Sequence, residues 1–187
     1  MPSRSEDDHR ALLRLARNAV IQAVSHGHLL ERIPDAGVFA ERCGVFVTLH
    51  VESRLRGCIG VIEPKESLGD SIVRCAASAA LQDPRFRPMR SEDLAGLQIE
   101  ISLLSPPAPL LVEEMEIGRH GLLVARGSHR GLLLPQVALE HRLTREQFYE
   151  ETCRKAQLPR ALWREPGTQL LGFTCEVFSD REPRAQP

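Results

Sequence analysis

Among the 187 residues, a thiol set between glycines and arginines is the group best suited to chemistry. Leu55-Arg56-Gly57-Cys58-Ile59-Gly60 brackets Cys58 with Gly57 and Gly60, and Arg54 and Arg56 precede it at alternate positions. In an extended segment alternate side chains share a face. That spacing puts Arg54, Arg56 and Cys58 together and turns Leu55, Ile59 and Val61 toward a core. Guanidinium charge beside a thiol favours the thiolate, the form that attacks electrophiles and binds metals. The two glycines leave room for a ligand, a second backbone or a bulge, and a bulge at Gly57 would shift the facing by one residue. The competing expectation is structural, since free cysteine is among the most buried residue types.

A nucleophilic thiol needs a base or an electropositive pocket, and a group that orients it. His120 and His50 are the candidate bases, and His120 opens a predicted hairpin directly before Gly121. Arg56, Arg85 and Gln136 are candidates to orient a substrate or hold an oxyanion. Asp83-Pro84-Arg85-Phe86-Arg87-Pro88 reads as a rigid basic loop, either solvated or lining an anion site. For His26 and His28 a charge role at a helix end is expected, and no metal site. Gly60-Val61-Ile62-Glu63-Pro64-Lys65-Glu66-Ser67 lacks the glycine before Lys65 that a phosphate loop needs, so no nucleotide cofactor is expected.

Composition narrows the classes of function. Charge is nearly balanced, 24 basic against 25 acidic residues with a net of −1, and there are one Trp and one Tyr. Neither a basic field nor stacking platforms for bases are available, which argues against nucleic acid as a partner. Five cysteines without a C-x-x-C pair give no zinc framework and suit a reducing compartment. The charged start and the lack of an apolar run near ~20 residues predict a soluble, cytoplasmic protein without a membrane span. A chain of this length buries roughly 70% of its unfolded surface and fits one domain or two small lobes sharing a core.

The elements that must position these groups alternate between helical and extended periodicity. Ser5 to His26 carries an i, i+3, i+4 stripe of Leu12, Leu15, Ala16, Ala19, Val20, Ala23 and Val24, with a Ser5/Asp8 capping pair and Gly27 as its stop. Ser67 to Asp83 predicts a second helix ended by Pro84, with Cys75 in its buried stripe. Val45–Val51 and Leu97–Leu103 predict strands. Gly121–Val124 and Gly131–Leu134 predict a hairpin, and a helix runs from a Thr144/Gln147 capping box to Ala156. Leu170–Phe178 predicts a last strand with Leu171, Phe173, Cys175 and Val177 on one face. Short connections and one-faced alternation favour antiparallel pairing. Pro106-Pro107-Ala108-Pro109 reads as an extended connector, which sets a subdomain boundary near 105–118, and residues 181–187 are expected to fray.

Several stretches together resemble the AMMECR family, also called AmmeMemoRadiSam system protein A. They are Phe46-Val47-Thr48-Leu49, Leu55-Arg56-Gly57-Cys58-Ile59-Gly60, Asp83-Pro84-Arg85-Phe86, Ile101-Ser102-Leu103-Leu104-Ser105-Pro106, Gly118-Arg119-His120-Gly121-Leu122, Arg130-Gly131-Leu132-Leu133-Leu134-Pro135-Gln136-Val137 and Glu176-Val177-Phe178. In family order they cover about residues 10 to 180. The sequence departs at Ser53, where a glycine usually precedes the motif, and at Leu143-Thr144, where a tryptophan-aspartate pair is common. The resemblance implies an α+β fold, an antiparallel sheet flanked by helices in two subdomains with a cleft between them near the motif. It also implies an association with a Memo-type protein and a radical SAM protein.

Two classes of function follow. In the first, the protein is an enzyme or enzyme component with Cys58 and His120 as catalytic residues. In the second, it is a non-catalytic adaptor or small-molecule-binding module for those partners, with Arg56, Gly57, Gly60, Arg85 and Gln136 as binding residues and Cys58 structural.

Overall fold

The structure, a computed structural model, describes residues 4–180, so the fraying expected over 181–187 lies outside the described residues. The chain builds two compact units. It leaves the first after Leu103 and returns to it at Glu176, within its last strand.

In the first unit, α1 (Glu6–His26) begins where expected: Ser5 accepts from the Asp8 N–H, and the Asp8 carboxylate accepts from the Ser5 N–H. Two of the donors that every helix start leaves free are thereby satisfied. The helix stops at Gly27, which takes a left-handed φ of 75°. β1 (Gly44–Val51) and β2 (Arg54–Val61) form an antiparallel hairpin. Its two-residue turn, Glu52-Ser53, has φ of 50° and 66°. Two side chains in left-handed backbone cost roughly 1 kcal/mol each where glycine is favoured.

α2 (Leu68–Leu81) starts behind the Ser67 cap and ends sooner than the periodicity predicts. Gln82 closes it through an N–H to the Ser78 carbonyl. A residue before proline disfavours helical backbone, and Asp83 leaves the helix to bind elsewhere. β3 (Leu97–Leu104) completes the order β2-β1-β3, followed by the end of β7 (Gln169–Ser179). Leu12, Val20, Val47, Leu49, Ile72 and Ile99 are fully buried between the helices and one face of this sheet.

In the second unit β4 (Ala108–Pro109) and β5 (His120–Arg126) pair with the first half of β7, and β6 (His129–Leu133) pairs with β5, all antiparallel. The hairpin strands run further than the sequence predicts and leave Gly127 and Ser128 as the turn. α3 (Pro135–Glu140) is a short helix that the sequence pattern does not predict; proline at its first position suits a helix start. α4 (Arg145–Lys155) carries the expected Thr144/Gln147 capping box. Phe148, Tyr149 and Cys153 of α4 pack with Met115, Leu122 and Val124 into this unit's core. The architecture is α+β with antiparallel strands. The last strand does not keep one apolar face, because it serves both units. Leu170 and Phe178 pack in different cores and Val177 is exposed.

Candidate functional site

The motif strand is bulged. Pairing passes from Leu49↔Gly57 to His50↔Leu55, so Arg56 is an extra residue without a partner on β1. On one side of the bulge Gly57, Ile59 and Val61 turn toward α2 and the core. The approach at Gly57 is so close that a Cβ there would lie 2.0 Å from the Ala79 carbonyl oxygen. Cys58 and Gly60 therefore face the other way. They share the sheet surface opposite the helices with Phe46, Thr48 and His50, whose neighbours Val45, Val47 and Leu49 are buried. Thr48 stands directly across from Cys58, and its hydroxyl donates to Sγ at 3.3 Å. The Phe46 ring occupies the space a side chain at Gly60 would need.

The bulge overturns part of the expected facing. Leu55 pairs with His50 and is 42% exposed rather than buried. Arg56 does not line up beside Cys58 either. Its guanidinium donates to the Arg87 and Pro88 carbonyls at 2.6 and 3.4 Å and lies 3.6 Å from the Asp93 carboxylate. It ties the loop after α2 to the edge of the sheet.

The most heavily bonded group here is one the sequence reading passed over. Asp83, whose side chain is 2% exposed, accepts from the Cys58 N–H at 2.9 Å. It also accepts from the Arg85 N–H, from Arg85 Nε at 2.9 Å and from Nη2 at 2.6 Å. Arg85 Nη2 in turn donates to the Cys58 carbonyl at 3.2 Å. Both outward main-chain groups of Cys58, on an edge strand, are thus held by one aspartate–arginine pair. Capping an edge in this way removes a template for strand addition.

The Arg85 fork holds the Asp83 carboxyl well below the usual carboxylate range, and the Cys58 and Arg85 N–H groups add to that effect against the opposing influence of burial. Asp93 follows a similar pattern. Burial opposes its ionisation, but the Arg90 N–H and the charges of Arg87 and Arg56 outweigh it and lower its pKa. The guanidiniums above these carboxylates point outward. Arg85 and Arg87 are each 52% exposed, and Arg85 lies over the Phe86 ring at 5.3 Å.

Of the predicted site residues, Arg56, Gly57, Cys58, Gly60 and Arg85 come together in the first unit. His120 and Gln136 belong to the second. His120 opens β5, and its Nδ1 accepts from the Glu116 N–H at 3.1 Å, closing the turn before the strand. That bond occupies the lone pair a neutral imidazole protonated at Nε2 would use as a base. Gln136 is the second residue of α3. The other thiols differ from Cys58 in setting. Burial pushes Cys43 and Cys153 up, Cys75 up to about 11 and Cys175 up to about 12.

The AMMECR1 family profile matches residues 13–178. The chain belongs to the AMMECR1 family. Its relatives include Protein MK0488 of Methanopyrus kandleri, 42% identical over 182 residues, which span 92% of this chain and 88% of that protein. A protein of Aquifex aeolicus is 40% identical, with 94% of both chains covered. Among solved structures, the uncharacterized protein PH0010 from Pyrococcus horikoshii superposes with a TM-score of 0.89 at 36% identity, covering 97% of this AMMECR1 chain and 96% of that one. Among the described residues no helix is long and apolar enough to cross a membrane.

Proposed function

We propose that this AMMECR1 protein is a non-catalytic binding module that serves a Memo-type protein and a radical SAM protein, with the motif strand and the loop from Asp83 as its recognition element. The observation that carries this reading is the use to which the motif's polar groups are put. Thr48 donates its hydroxyl to the Cys58 sulfur, whereas a nucleophile's base must accept the thiol proton. Arg56 and the Asp83–Arg85 pair spend their hydrogen bonds on backbone, fixing the loop against the strand. Such an arrangement pre-organises a surface, which lowers the ordering cost of binding.

A second reading, an enzyme component built on Cys58, is favoured by two features: the Arg85 guanidinium lies within interaction range of the Cys58 side chain, and His50 stands on the same sheet face, two residues from Thr48 on β1.

Co-purification from cells that produce all three proteins separates the two readings. The binding module is expected to bring down the Memo-type protein, and Cys58→Ser is expected to leave that complex intact. Recovery of neither partner with the wild-type chain overturns the proposal.

A further inference from the structure

Charge is sorted by depth around the capped strand edge. Asp83 and Asp93 are buried at 4% and 8% exposure, while Arg85, Arg87 and Arg90 lie on the surface of the same loop, and Arg54 lies exposed on β2. The carboxylates hold the guanidiniums from beneath: Asp93 takes two bonds from Arg87 and one from the Arg90 N–H. A chain with a net charge of −1 thereby turns a positive surface outward at one place. Arg85 and Arg87 stay half-exposed while they hold these carboxylates, and a guanidinium carries five N–H donors, more than those two contacts use. The patch also has apolar surface. Leu55 is exposed beside the bulge, Phe86 is half-buried under Arg85, and Pro84 and Pro88 are exposed. Arginine around aromatic and apolar surface is the composition of protein interfaces rather than of a merely solvated loop.

From this we infer that the Arg54–Leu55 corner and the Pro84–Arg90 loop dock an acidic segment of a partner polypeptide that also presents an apolar side chain. The inference rests on the binding-module reading and names the partner's chemistry at that same surface. Docking runs through side chains. At Cys58 the strand edge is closed by Asp83 and Arg85, so an incoming chain gains no main-chain hydrogen bonds there. A polypeptide is favoured over single-stranded nucleic acid because Phe86 is the one aromatic ring in the 83–90 loop, too few for successive bases to stack on.

Arg85 and Arg87 hold buried carboxylates, so the test uses Arg54 and Arg90, which are exposed and bind no buried group; Arg90 lies 3.8 Å from the exposed carboxylate of Glu92. Binding of a short fluorescein-labelled peptide of glutamates around a central phenylalanine is followed by anisotropy. Wild type is compared with Arg54→Glu/Arg90→Glu and with a charge-matched control, Arg14→Glu/Arg32→Glu, at two exposed positions elsewhere on the unit. The patch variant is expected to weaken binding about tenfold, equivalent to ~1.4 kcal/mol, while the control changes it less than about twofold. Equal weakening by both variants, no weakening by the patch variant, or tighter binding of a single-stranded oligonucleotide overturns the inference. The same variants are carried through the co-purification. A partner retained undiminished by Arg54→Glu/Arg90→Glu defeats the docking surface alone. Absence of any partner with wild type defeats the binding-module reading beneath it.

Discussion

Replacing Asp83 with asparagine tests whether the aspartate clamp holds the motif strand in place. The carboxylate accepts from four donors: the Cys58 N–H, the Arg85 N–H, and two nitrogens of the Arg85 fork. An amide in its place keeps one acceptor oxygen and turns an NH2 toward donors it cannot satisfy. Arg85 is half-exposed and can rehydrate, so its share of the loss is small. The Cys58 N–H has no such outlet. A bond to an ionised acceptor contributes about 1.5–3 kcal/mol, and leaving a sheltered donor unpaired costs a similar amount. The expected loss is therefore about 2–3 kcal/mol, or roughly 5–10 °C in Tm for a chain of this size.

Because the Asp83 pKa is lowered in the folded state, its contribution is complete above the unfolded value near ~4 and is lost as pH falls below it. Asp83→Asn should accordingly shallow the acid limb of the stability curve, and the gap between wild type and variant should narrow toward low pH. Denaturant melts across pH, with amide hydrogen exchange at Cys58, supply the readouts. A stability change under about 0.5 kcal/mol, or a Cys58 N–H that is unprotected in the wild type, would refute the reasoning.

Two further outcomes are expected. Gly57→Ala drives a methyl group into the Ala79 carbonyl, and overpacking costs about 1–3 kcal/mol. The upper end is expected because every atom the methyl meets is Ala79 backbone, and an unchanged urea midpoint would sink the packing argument. In the native protein, iodoacetamide followed by peptide mass spectrometry should label Cys58 before Cys43, Cys75, Cys153 and Cys175. Burial disfavours the thiolate in each of those four, and early labelling of Cys175 would contradict it.

Much of the fold was legible because it is written in local signals. The α1 stripe, its Ser5/Asp8 pair and Gly27, and the Thr144/Gln147 box all act within one or two turns of chain. Where tertiary partners decide, the reading was incomplete. α2 ends early because Asp83 is drawn to the strand edge by the Cys58 N–H, 25 residues upstream in β2. β7 lacks a single apolar face because its two halves belong to different cores, and no period-2 count shows such a division. Asp83 was overlooked for a related reason. Beside two prolines and two arginines it reads as one charge in a polar loop, and only its burial makes it the acceptor on which the motif depends.

The facing of Cys58 shows why spacing alone left the site half read. Counted regularly from the tight turn at Glu52-Ser53, Val51 pairs with Arg54, and Cys58 would then stand opposite Val47, whose side chain is in the core. Leu55 would stand opposite His50 on the outer face, as it does. The hairpin instead admits Arg56 as an extra residue, which moves Cys58 one place to Thr48 and turns it outward, while Gly57 takes the inward position. Only glycine fits that position against α2, so the bulge and Gly57 require each other: without the shift a larger side chain would meet Ala79, and without the glycine the shifted strand could not approach the helix. Arg56, released from the ladder, is then free to reach the Arg87 and Pro88 carbonyls and hold the loop that carries Asp83. The glycine, the arginine and the cysteine of the motif are linked by one register shift, and the thiol's position is its result.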